Sequence, residues 1–74
     1  MKQDELQVII DRAKIKNDGI YSHLGIKYVV KNNRLRFLYQ CDTIYQFESG
    51  FLITIGKSKY DSNKKLKELL AKGV

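Results

Sequence analysis

At 74 residues the chain has room for one small domain, and with 43% apolar residues it is too hydrophobic for a disordered tail. It has no apolar run long enough to span a bilayer, and its only cysteine, Cys41, excludes an internal disulfide and fits a reducing compartment. Fourteen Lys and Arg against eight Asp and Glu give a formal net charge of +6, which favours an anionic partner, either nucleic acid or an acidic protein patch.

The opening stretch, "MKQDELQVII", carries acids where a signal peptide needs a charged-then-apolar layout, so a cytoplasmic protein without a targeting segment is expected. Residues 4 to 16 read as a helix. Asp4 is its candidate N-cap, and Gln7 completes a capping-box pattern. Leu6, Ile9, Ile10 and Ala13 recur at helical spacing and form one apolar face. Val8 and Ile15 point away from it, towards solvent or a contact. Asn17-Asp18-Gly19 stops the helix, with Gly19 or Asn17 suited to the left-handed conformation.

Strands follow from residue 20 to 55. "IYSHL" is a short edge candidate. "IKYVVK" and "RLRFLY" flank Asn32-Asn33, a pair that tolerates positive φ and so predicts a tight type I′ hairpin. That turn sets Lys31 opposite Arg34, Val30 opposite Leu35, Val29 opposite Arg36 and Tyr28 opposite Phe37. Strict alternation then puts Ile26, Tyr28, Val30, Leu35, Phe37 and Tyr39 on one face. Lys27, Val29, Lys31, Arg34, Arg36 and Leu38 fall on the other. A three-residue link at Gln40-Cys41-Asp42 keeps Phe37 on the side of Tyr45. In the next hairpin a two-residue turn at Ser49-Gly50 would leave Phe51 on the far face. A three-residue loop, Glu48 to Gly50, gathers Thr43, Tyr45 and Phe47 with Phe51, Ile53 and Ile55, and is preferred for that reason.

A second helix is expected from Asp61 to Lys72, capped by Ser58 or Asp61 and stopped by Gly73, with Leu66, Leu69 and Leu70 as its buried stripe. The expected fold is α+β, one compact domain over residues 1–74. A four- to five-stranded antiparallel meander is flanked by an N-terminal and a C-terminal helix. Both helices cover its one apolar face, and the cationic face stays open.

Catalytic chemistry finds little support. His23 and Cys41 are single and far apart in sequence, and Asp4, Glu5, Asp11 and Asp18 read as capping and helix-surface residues. Too few ligands are present for a zinc site, and no cofactor is expected. Gly56-Lys57-Ser58 resembles the end of a phosphate-binding loop. Yet five residues separate Gly50 from Gly56 where that loop has four, and they are the strand itself. A non-enzyme is therefore expected.

The strongest signal is the face carrying Lys27, Lys31, Arg34 and Arg36. It reads either as a solvated, aggregation-resistant surface or as an anion-binding one. Val29 and Leu38 share it, as do Ile44 and Leu52, and this mixture suits a protein interface with Arg anchors better than a pure phosphate track. Two classes stay open: a small protein that binds and modulates or inhibits a larger partner, and a nucleic-acid binder contacting phosphates. The first is favoured. Lys64, Lys65 and Lys67 form a secondary basic patch, and a homodimer is compatible with either class.

The composition points the same way. Rich in Lys, Asn, Ile and Tyr and lacking Pro and Trp, with stretches such as "VVKNNRLRF" and "SNKKLKELLAKG", the chain resembles small early-gene products of phages of low-GC Gram-positive bacteria. The resemblance covers the whole chain and contains no specific motif. It implies a host cytoplasmic location and a target in the host replication or transcription machinery, the sliding clamp being one example. The chain lacks a Gln-x-x-Leu-x-Phe peptide of the sort clamp partners use, and it is basic where a DNA mimic is acidic. Binding to a clamp would have to use a folded surface.

Overall fold

The computed structural model describes residues 3–59 and 61–72. The order is α1 (Gln3–Ala13), β1 (Gly19–His23), β2 (Ile26–Lys31), β3 (Arg34–Gln40), β4 (Thr43–Glu48), β5 (Phe51–Lys57) and α2 (Ser62–Lys72). The strands form one antiparallel sheet in sequence order, β1-β2-β3-β4-β5. The α-β-α meander expected from the sequence is the fold observed.

The disposition of the helices differs from expectation. They lie on opposite faces of the sheet. Ile9 and Ala13 of α1 pack with Ile26, Tyr28, Val30, Leu35 and Leu38. Leu66 of α2 packs with Val29, Phe37 and Ile44. The sheet is thus the middle layer of three, and both of its faces are apolar. The uninterrupted Tyr28-Val29-Val30 run is the local mark of a strand buried on both sides.

A β-bulge changes the expected alternation. The Asn32-Asn33 turn forms as predicted, with φ of 55° and 59°, and sets Lys31 opposite Arg34 and Val30 opposite Leu35. Val29 then pairs with Phe37 and Tyr28 with Leu38, so Arg36 is the extra residue. One inserted residue reverses the facing of all that follow. Phe37 and Tyr39 therefore turn to the α2 side, and Leu38 to the α1 side. The expected pairs Val29–Arg36 and Tyr28–Phe37 do not form.

The later turns are also tighter than expected. Gln40 pairs with Thr43, so the β3–β4 turn is Cys41-Asp42, with Cys41 at φ 61°. Glu48 pairs with Phe51 and Phe47 with Leu52, so the β4–β5 turn is Ser49-Gly50, at φ 54° and 84°. This is the type I′ geometry whose twist matches the strands. It places Phe51 and Ile53 on the face opposite Phe47 and Leu52. A second bulge, at Ile55, precedes the pairing of Gly56 with Ile44.

The helix ends follow ordinary chemistry. α1 starts at Gln3, so Asp4 lies in the first turn near the positive end of the helix dipole and is not the N-cap. Gln7 donates to Asp11 at 3.0 Å and does not complete a capping box. After Ala13 the helix tightens: the Ile15 and Lys16 N–H groups donate three residues back, to Arg12 and Ala13. Neither Asn17 nor Gly19 takes a left-handed φ, and Gly19 begins β1. α2 is capped at Asp61, whose carbonyl accepts from the Lys65 N–H at 2.9 Å. The expected stop at Gly73 lies outside the described residues.

The link from β5 to α2 decides which surfaces are covered. The Ser58 N–H donates to the Asp42 carbonyl at 2.9 Å, and the Tyr39 hydroxyl donates to the Ser58 carbonyl at 2.6 Å. These bonds draw the chain back across the sheet, and α2 packs over β2 and β1. The outer part of the same face, on β4 and β5, is left open.

One turn residue is conformationally costly. The β1–β2 turn is Leu24-Gly25, at φ 50° and 80°. Glycine meets the second requirement without strain, but leucine in the left-handed region costs about 1 kcal/mol. Leu24 is 76% exposed, so its side chain offsets little of this. Leu24→Asn creates an Asn-Gly turn and is expected to raise stability by about 0.5–1 kcal/mol. The urea midpoint measures it, and an unchanged or lower midpoint would contradict the strain argument.

Candidate functional site

The six residues expected to share one open face are dispersed by the fold. Val29 is 1% exposed and Leu38 is fully buried, on opposite sides of the sheet. Neither is available to a partner. Ile44 is also buried, and Leu52 is half-buried against the α1-side core. The open mixed apolar and cationic face is corrected accordingly: α2 covers part of that face, and the Arg36 bulge moved Leu38 off it.

Two of the four cations hold the fold together. The Lys27 ammonium donates to Asn63 Oδ1 at 2.7 Å and to Ser62 Oγ at 3.4 Å, tying the first turn of α2 to β2. It also lies 6.0 Å from the centroid of the Tyr39 ring. The Lys31 ammonium stands 4.0 Å from the Asp18 carboxylate. Asp18 accepts the Asn32 N–H at 2.8 Å, and Asn33 Nδ2 donates to the Lys16 carbonyl at 2.7 Å. The β2–β3 turn is thus fastened to the segment that follows α1.

Arg34 and Arg36 do come together, in a different place. They line a groove of about 420 Å³ between α1 and the β2–β3 and β4–β5 turns. Ile10, Leu35 and Phe47 give it apolar walls. Lys14, Arg34 and Arg36 give it positive charge, and Glu48 is its one acid. Arg36, which lines this groove, is also the extra residue of the β3 bulge. Sequence inspection missed Lys14 as a wall of the site. It lies four residues, about one turn, beyond Ile10, and that spacing is the signal that could have found it.

The secondary basic patch is exposed along α2. Lys64 and Lys65 border a shallower hollow with Lys57 and Ser58, interrupted by Asp61 and Glu68, and Lys67 is exposed outside its lining. His23 ends β1 and Cys41 follows β3. With β2 between those strands, two strand spacings, about 10 Å, separate their backbones. Among the described residues, no three His, Cys, Asp or Glu side chains gather into a metal-binding group. No helix among them is long and apolar enough to cross a membrane.

No family model matches the chain, and comparison with curated proteins and with solved structures returned no match.

Proposed function

We propose that this is a small non-enzymatic interaction protein that binds and modulates or inhibits a larger protein, and that it does so through the groove between α1 and the two turns. The observation that carries the proposal is the composition of that groove: Lys14, Arg34 and Arg36 against one acid, Glu48, together with the apolar Ile10, Leu35 and Phe47. Such a site suits an acidic segment that also offers an apolar side chain. The apolar contact contributes affinity, while Arg34 and Arg36 supply forked donors for carboxylates. The compositional resemblance to early phage products makes the host replication or transcription machinery the first place to seek the partner.

The nucleic-acid alternative draws less support. A phosphate track needs cations free to follow a backbone. Lys27 is engaged with α2 and Lys31 with Asp18, so the row on β2 is interrupted. A titration with mixed-sequence DNA at low salt is expected to show weak or no binding. Tight association that steepens as salt falls would favour the alternative.

Affinity capture tests the groove. The double variant Arg34→Ala, Arg36→Ala is expected to stay folded and to lose about tenfold or more in affinity for a protein retained by the wild type. Retention equal to wild type would remove the groove from the account.

A further inference from the structure

The apolar layer beneath α1 is well covered on one half only. Ile9 and Ala13 of α1 and their partners on β2 and β3 are buried. On the same side, Tyr45 and Phe47 of β4 and Leu52 of β5 are only partly buried. Thr54 pairs with Tyr45, so it shares their side, and it is exposed. α1 packs on β3, and α2 lies across the sheet. Among the described residues, the strip over β4 and β5 therefore stays open on the α1 side.

The groove is the charged end of this strip. Leu35 and Phe47 belong to both, and Lys14, Arg34 and Arg36 stand there against one acid, Glu48. β5 also exposes Phe51 (72%), Ile53 (49%) and Ile55 (44%). Phe51 and Ile53 alternate with Leu52 and so face the α2 side, away from the strip.

The open width is that of a helix. Neighbouring strands stand about 4.8 Å apart, so β5 lies about 10 Å from β3. Packed helices keep their axes about 8–10 Å apart. A helix seated against α1 would therefore lie above β4 and β5, with Tyr45, Phe47 and Leu52 beneath it. One extended segment, about 5 Å wide, would cover only half of that width.

We infer that the groove's occupant is an acidic amphipathic helix of the partner, laid beside α1 over β4 and β5, a conclusion that rests on the groove being the binding site and specifies what fills it. The apolar stripe of this helix covers Tyr45, Phe47 and Leu52. Its carboxylates sit at the end that reaches Lys14, Arg34 and Arg36. Charge selects an acidic helix over a basic one: three cations face one acid in the groove, and the whole chain carries +6.

Selection from a random library of peptides about 16 residues long, enough for four turns, tests it. The enriched sequences are expected to be acidic, with apolar residues at i, i+3 or i+4, and i+7. A synthetic peptide of that consensus is expected to become helical on binding and to lose about tenfold in affinity for Thr54→Glu. That variant sets a carboxylate under the helix at an exposed position. Ile53→Glu, on the other face, is the control and is expected to bind within about twofold of the wild type. Far-UV circular dichroism checks that both variants are folded. An alternating apolar pattern, a basic consensus or no enrichment would overturn the inference, as would equal effects from the two variants. Alternating peptides that still depend on Arg34 and Arg36 would overturn the helix and leave the groove reading standing. Peptides bound equally well by the Arg34→Ala, Arg36→Ala variant would remove the groove reading and this inference with it.

Discussion

Replacing Val29 with lysine is expected to unfold the protein. Val29 sits between the sheet and α2, 1% exposed and packed in the cluster of Phe37, Ile44 and Leu66. An ammonium group there has no carboxylate in its cluster, and an unpaired buried charge costs several kcal/mol. A domain of this size has a total stability of only about 4–11 kcal/mol. A loss of about 4 kcal/mol would take much or all of it, lowering Tm by about 15 °C or more. Thermal unfolding followed by circular dichroism measures this directly. If Val29 instead stood on an open cationic face, a lysine would be one more solvated charge and stability would change by no more than about 0.5 kcal/mol.

Leu66→Ala is expected to cost about 2–5 kcal/mol. Leu66 is the fully buried side chain of α2, and it fills the space above Val29, Phe37 and Ile44. Truncation leaves a cavity under a helix of only 11 residues, too short to persist without its packing. The loss should concentrate in α2. Amide exchange is expected to accelerate along Ser62–Lys72 more than in β2 and β3. Lys64→Ala, on the exposed side of the same helix, is the control and should shift the urea midpoint by less than about 0.5 kcal/mol. Equal effects from the two substitutions would show that α2 is not seated through Leu66.

The elements were legible because their signals are local. Helical spacing marked Leu6, Ile9, Ile10 and Ala13, and Asn32-Asn33 gave the turn type and the first two pairs of its ladder. The facing of residues beyond Leu35 was not legible. A bulge has no distinctive sequence mark here: "RLRFLYQ" alternates only as far as Phe37, its Phe37-Leu38-Tyr39 run fits a strand covered on both sides with or without an inserted residue, and only the packing of Phe37 against Leu66 and Leu38 against the α1-side core shows where the extra residue falls. The β4–β5 turn was misjudged for a related reason. Gathering every large apolar group on one face is the right rule for a sheet with one covered side. It fails when a helix occupies each side, because apolar residues are then wanted on both. The same assumption hid the exposure of Phe51, Ile53 and Ile55. Of the candidate site, Arg34 and Arg36 were found for the wrong geometric reason. They line one groove beside the β2–β3 turn, in company with Lys14.

The most direct test of the two-sided core is the set of nuclear Overhauser contacts made by the Phe37 ring. The account predicts contacts to the methyl groups of Val29, Ile44 and Leu66 and none to Ile9. Contacts from Phe37 to Ile9, with Leu66 meeting the same residues, would put both helices on one face and contradict the bulge at Arg36.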